Sequence, residues 1–191
     1  MSEAASPNDA LIVVDVQNDF CPGGALPVPA GDEVVPELNA WIAWARAGGA
    51  LVVASRDWHP AHHCSFEPFG GRWPPHCIAG TPGAAFHPRL EIPDEAVIVS
   101  KATQPDRDAY SAFDGTGLET RLRERGVKRV LVGGLALDYC VKATALDAAR
   151  AGFETVLLRS ATRPVEVHPG DGERAVEELR AAGVRILDGR P

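Results

Sequence analysis

Nowhere in the chain does an apolar run approach the ~20 residues that cross a bilayer, and no membrane partner is expected. Positive charge is in deficit: 19 Lys and Arg stand against 26 Asp and Glu, and the two signs are mixed along the chain. A nucleic-acid partner needs a basic stripe or patch, so none is expected. The start, Met1 to Asp9, has neither the basic region nor the long apolar core of a secretory signal and reads as a flexible tail. The four cysteines, Cys21, Cys64, Cys77 and Cys140, form no CxxC pair. Free thiols in a reducing cytoplasm are the expectation. Low-complexity segments and internal repeats are also missing. What remains is an ordinary globular composition over 191 residues, read as one domain, 1–191.

The most informative stretch is Gly133 to Lys142, GGLALDYCVK. An apolar run, Val130 to Val132, meets a double glycine, and a helical pattern opens near Asp138. Asp138 is a good N-cap type, able to accept from free backbone N–H groups one turn on. Cys140 would then sit in the first turn, where the helix dipole favours a thiolate and nearby N–H groups can hold an oxyanion. A small buried core cysteine is the plainer reading of this stretch alone.

Taken in order, Ala10 to Val16 reads as a strand buried on both faces. A Pro/Gly-rich loop leads to a helix from Asp32 to about Ala47, closed by Gly48-Gly49. Further strands are expected at Leu51 to Ser55, Ala96 to Ser100, Lys128 to Val132, Phe153 to Leu158 and Val184 to Leu187. Helices fall at Thr116 to Gly126, Asp138 to Ala151 and Gly170 to Ala182. This alternation implies a three-layer α/β/α fold around a six-stranded, mostly parallel, Rossmann-like sheet. Such sheets bind ligands beyond the carboxyl ends of their strands. Asp15, Asp57, Lys101 and Cys140 lie at or just past four different strand ends, so they should converge on one edge.

Between residues 60 and 93 there is no regular periodicity, and seven prolines fall from Pro60 to Pro93 inclusive. Long irregular loops in compact domains are functional or disordered. This one carries Trp, Phe, His and Cys, which argues against disorder. Four of the six histidines lie between His59 and His76, beside Asp57. Asp57 and His59 share one side of an extended segment, and His63 and His76 could close a site from the loop. An Asp/His set suits one divalent ion, zinc, iron or manganese, with room for water or substrate. A purely structural ion, or histidines that bind nothing, are the competing readings. Cys64 and Cys77 adjoin the histidines, and packing suits them better than ligation.

With these residues in hand, the chain resembles the nicotinamidases of the isochorismatase-like cysteine hydrolase superfamily. The resemblance runs nearly end to end, through VDVQNDFCPGGAL (Val14 to Leu26), SRDWHP (Ser55 to Pro60), HCSF (His63 to Phe66) and WPPHCIAGTPGAAFHP (Trp73 to Pro88). It continues through the Ser-Lys of the third strand, DAYSAFDGTGL (Asp108 to Leu118) and GGLALDYCVKATALDA (Gly133 to Ala148). It implies a triad carried by Cys140, Asp15 and Lys101, and a metal bound by residues matching Asp57, His59, His63 and His76. It also implies a cis peptide before Ala136, with the N–H groups of Ala136 and Cys140 forming an oxyanion hole. The implied reaction is metal-dependent hydrolysis of nicotinamide to nicotinate and ammonia through a thioester; the sequence leaves activity on the ring analogue pyrazinamide open. Phe20, Trp73, Tyr110 and Tyr139 are candidates to wall the flat ring. Lys101 and the helix terminus are expected to lower the Cys140 thiol, and burial to raise Asp15.

Two positions depart from the family pattern. His62-His63 stands where Asp-His is common, leaving His62 as an alternative ligand to His63. Leu137 replaces a threonine or small residue and is expected to reshape the pocket wall. Rival readings are a related amidase acting on another small amide or carbamoyl compound, and a non-catalytic metal-binding module. An isochorismatase proper would not use the cysteine. An assembly of identical chains is compatible with any of these.

Overall fold

The computed structural model describes residues 4–191. The sheet is built from β1 (Asp9–Val14), β2 (Leu51–Asp57), β3 (Val97–Lys101), β4 (Arg129–Leu135), β5 (Glu154–Arg163) and β6 (Arg185–Leu187). Its spatial order is β3-β2-β1-β4-β5-β6, and every neighbouring pair is parallel. Helix α1 (Val34–Ala47) covers one face; α2 (Leu118–Glu124), α3 (Lys142–Arg150) and α4 (Asp171–Ala181) cover the other.

Strand alternation explains the three layers. In β1, Leu11 and Val13 join the cluster around Leu38, Trp41 and Ile42 of α1. Ala10, Ile12 and Val14 join the opposite cluster with Leu122, Ala145, Ala148 and Leu179. Both sets of side chains are buried, so the strand reads as a continuous apolar run, as central parallel strands do. The alanines of α3 keep that helix close to the sheet.

Strand order reverses between β1 and β4, because β2 and β3 extend the sheet to one side and β4 opens the other. Loops diverging from such a switch point leave a crevice. Asp15 follows β1 directly, and the Cys140 turn follows β4. The two candidate groups therefore flank the crevice. Asp15 itself has φ +49°, and Ala102, after β3, has φ +51°. These left-handed residues end their strands sharply; such outliers concentrate at functional sites.

Three expectations need correction. The double glycine does not end β4, which runs on through Gly133-Gly134-Leu135 with a bulge between Val132 and Gly134. Gly134 has φ +124°, and a Cβ there would lie 2.1 Å from the Val14 carbonyl oxygen, so only glycine lets β4 pass β1 this closely. The Leu135–Ala136 peptide beyond it is cis. Second, β5 continues past its apolar core to Arg163, because Thr162 and Arg163 pair with Gly134 and Leu135 beyond the bulge. Third, the supposed flexible start is docked before the strand. The Ser6 N–H donates to Asp9 Oδ2 at 2.8 Å, the Asn8 carbonyl accepts from Lys128, and Asp9 already belongs to β1. Residues 1–3 of that expected tail lie outside the described residues.

The long segment 60–93 has only two short 3₁₀ turns, Glu67–Phe69 and Pro82–Ala84. It is fastened by polar contacts. The buried Gln17 side chain donates to the carbonyls of Asp57 and Ala84, at 2.8 and 2.9 Å, and accepts from the Asp57 N–H at 2.8 Å.

Candidate functional site

Asp15, Asp57, Lys101 and Cys140 meet at the carboxyl edge of the sheet, as their strand positions imply. Register makes the first contact: Asp57 is paired with Lys101 across β2 and β3. The Lys101 ammonium donates to Asp57 Oδ1 in a very short contact and lies 2.8 Å from Asp15 Oδ2. It also points at Cys140 Sγ, 3.4 Å away, and at the Ala109 carbonyl oxygen, 3.3 Å away. The Ser55 hydroxyl donates to the other Asp15 oxygen at 2.7 Å, and the Cys140 sulfur lies within 4.8 Å of carboxylate oxygens of Asp15 and Asp57. The side chains of Lys101 and Asp15 are fully buried.

Burial governs the charge states. Desolvation alone would lower Lys101, but the carboxylates of Asp15 and Asp57 overturn it and hold the ammonium well above its ordinary value. Desolvation raises Asp15, and the Lys101 charge only partly offsets it. Cys140 moves opposite to the sequence expectation. Its thiol is pushed well above the usual range, because loss of water outweighs the Lys101 charge, with Asp15 and Asp57 adding to the rise. The resting sulfur is thus a neutral thiol beside a raised carboxylate. No ordinary first turn carries the sulfur either: Leu137–Val141 is a π-helical turn, and α3 starts only at Lys142.

Above this cluster opens a cleft. All four expected aromatics, Phe20, Trp73, Tyr110 and Tyr139, line it, together with Asp57, His76, Ala136 and Cys140. Trp73 donates to the Tyr110 hydroxyl at 3.1 Å and packs edge-on against Tyr139 at 5.2 Å, which fixes that wall. Leu26, Val28 and Val165 complete the lining. Sequence reasoning missed them as wall residues; Leu26 at least closes the first matching motif. Leu137 is not in the wall. It is fully buried among Ile12, Val14 and Val141 in the core beneath, so it does not reshape the pocket.

Of the four expected metal ligands, Asp57, His59 and His76 have donor atoms within 4.8 Å of one another. The donor chemistry fits a cation. His59 Nδ1 lies 3.0 Å from the His76 carbonyl oxygen, and His76 Nδ1 lies 2.7 Å from that of Pro74. A carbonyl only accepts, so each Nδ1 carries a proton, and Nε2 is the nitrogen left to face a cation. Burial and the neighbouring His76 push His59 down to about 3, so its ring is neutral at neutral pH. His63 stands apart. Its Nδ1 is 2.7 Å from the Ser65 hydroxyl and its Nε2 is 3.0 Å from the Arg107 carbonyl oxygen. It shares a second possible donor set with His59 and Asp108. His62 is exposed against Phe69, whereas His63 is buried and its ring centre is 4.5 Å from that of His59. Burial thus favours His63 over His62. Neither Cys64 nor Cys77 belongs to a possible donor set among the described residues.

A doubly wound parallel sheet with a buried Cys-Asp-Lys cluster at its switch point defines a class of α/β proteins with their chemistry at the strand ends. The chain belongs to the isochorismatase family: residues 9–190 match the Isochorismatase domain. It is 40% identical to the nicotinamidase of Escherichia coli K12, covering 94% of each chain. It is 42% identical to the nicotinamidase/pyrazinamidase of Mycobacterium tuberculosis, covering 93% of this chain and 97% of that one. Among solved structures, the pyrazinamidase of Pyrococcus horikoshii in complex with zinc superposes with a TM-score of 0.92 at 54% identity, covering 96% of this chain and all of the other. PnC1 from L. infantum in complex with nicotinate gives 0.89 at 37% identity, covering 98% and 96%.

Proposed function

We propose that the chain hydrolyses nicotinamide to nicotinate and ammonia, with Cys140 as nucleophile. One observation carries the reading. Cys140 lines an aromatic-walled cleft together with Asp57 and His76, Asp15 and Lys101 are fully buried next to one another with Lys101 3.4 Å from the Cys140 sulfur, and His59 completes a donor set with Asp57 and His76. The relatives named above support the substrate.

A carboxamide is a poor electrophile, so the site must supply a nucleophile, a proton for the leaving nitrogen and a place for negative charge. Asp15 accepts the thiol proton, its raised carboxyl being a better base than a free one. The sulfur becomes a thiolate 3.4 Å from the Lys101 ammonium, which stabilises it. The thiolate attacks the amide carbon, and the N–H groups of Ala136 and Cys140 receive the oxyanion. Asp15 returns the proton to the departing nitrogen, the C–N bond breaks, and ammonia leaves a thioester on Cys140. Asp15 then takes a proton from water, which attacks the thioester, releases nicotinate and restores the thiol. Asp57, His59 and His76, with His63 if it releases the Arg107 carbonyl, would hold a divalent ion. Such an ion supplies a Lewis-acid contact for the pyridine nitrogen. Pyrazinamide offers the same ring nitrogen and amide and is the expected second substrate.

The described residues contain no helix long and apolar enough to cross a membrane, and all four cysteines are free. Both fit a reducing cytoplasm. The test is ammonia release from nicotinamide, with benzamide as comparison and Cys140→Ala as control. Release from nicotinamide alone, abolished in a folded Cys140→Ala protein, is expected. Equal rates on benzamide would remove ring-nitrogen recognition, and a fully active Cys140→Ala protein would refute the nucleophile.

A further inference from the structure

Asp138 is two residues from the nucleophile, yet it neither caps a helix nor lines the cleft. It is 8% exposed, and both its oxygens are used at long range. Oδ1 accepts the Val165 N–H at 2.8 Å and Oδ2 accepts the Glu166 N–H at 3.0 Å. Two successive backbone donors on one carboxylate make a charge-assisted clamp, stronger than neutral hydrogen bonds. The clamped loop, 164–170, joins β5 to α4. Val165 is the loop residue that enters the cleft lining beside Tyr139 and Cys140. The far end of the loop is held separately. Glu166, at φ +58°, accepts the N–H groups of Gly170 and Gly172, both at 2.8 Å, at the start of α4.

The catalytic turn and one wall of the cleft are thus tied together by a single side chain. We propose that Asp138 is a positioning residue that sets the fit of the substrate ring by holding Val165 at the cleft wall. The inference rests on the substrate reading above. It predicts an effect on binding of the ring rather than on the thiol chemistry, because Asp138 meets loop amides and leaves Asp15 and Lys101 to others.

Asp138→Asn keeps the shape but turns one acceptor into an NH₂ group facing a backbone N–H. We expect KM for nicotinamide to rise about tenfold, the scale of one lost charged hydrogen bond, with kcat within about threefold. Hydrogen exchange at the amides of Val165 and Glu166 should accelerate, while exchange in β1 and β4 stays slow. Val165→Ala should raise KM in the wild-type background and add little in the Asp138→Asn background, since both act on one wall. Full additivity, a fall in kcat at unchanged KM, or unaltered exchange at both amides would overturn the proposal. Should Asp138→Asn fail to fold, Val165→Ala alone decides: an unchanged KM refutes the wall. Wild-type protein that releases no ammonia from nicotinamide would refute the substrate reading, and the exchange measurement then decides the clamp by itself.

Discussion

Lys101→Met isolates the charge at the centre of the site. Methionine has nearly the volume of lysine, so the substitution removes the ammonium without opening a large cavity. It leaves two buried carboxylates, Asp15 and Asp57, without the cation that lies 2.8 Å from the first and closer still to the second. Removing one partner of a buried ion pair costs about 3–5 kcal/mol, a large share of the ~5–15 kcal/mol that holds a domain together. Urea unfolding at pH 7 should therefore show a loss of roughly that size. The loss should also depend on pH in a defined direction. Burial already raises Asp15, and without the Lys101 charge that partly offsets this its folded-state value lies higher still, so the folded form binds more protons. Stability relative to wild type is then recovered as pH falls through that raised value and is lowest above it. Adding Asp15→Asn removes one orphaned charge and should restore part of the stability at pH 7. A Lys101→Met protein as stable as wild type at pH 7, or one whose deficit does not shrink on acidification, would refute the account of the buried charges.

Three other outcomes follow. Chelation of the purified protein should raise KM for nicotinamide while leaving the melting temperature within a few degrees, since Gln17 and backbone bonds already fasten the 60–93 loop; cooperative unfolding on chelation would make the ion structural. Burial raises Asp9, but bidentate hydrogen bonds from Arg129, at 2.8 and 2.9 Å, and those from Ser6 outweigh it, so its carboxyl is lowered. Its stabilisation is present above the unfolded value near 3.9 and lost as pH falls through the lower folded value. Asp9→Asn should accordingly lower the melting temperature at pH 7, with the gap to wild type closing below about pH 4; a gap constant across that range would refute the pairing. Leu137→Ala should cost about 2–5 kcal/mol in denaturant unfolding with an unchanged ratio of rates on nicotinamide and pyrazinamide. A shifted ratio would return Leu137 to the pocket.

Much of the site is legible in the sequence because of a simple rule: polar residues at the ends of continuous apolar runs converge when those runs form a parallel sheet. The runs at Ala10, Leu51 and Val97 mark the strands, and Asp15, Asp57 and Lys101 at their ends do meet. The aromatic wall is likewise contained in the motifs around Phe20, Trp73, Tyr110 and Tyr139.

What the apolar pattern determined is which side chains leave water, since burial follows hydrophobicity and period. Which partner each buried polar group finds was decided only in three dimensions. Asp138 looks like a local cap in sequence, but its donors lie 27 and 28 residues away. Leu137 sits beside catalytic residues in the chain, yet the π-helical turn places it in the core. His62 and His63 are equivalent as letters, and the fold buries one and exposes the other. The charge state of Cys140 is the clearest case. Neighbouring charge and helix position predict a lowered thiol, but solvation depends on everything packed around the sulfur, and in this fold desolvation outweighs both.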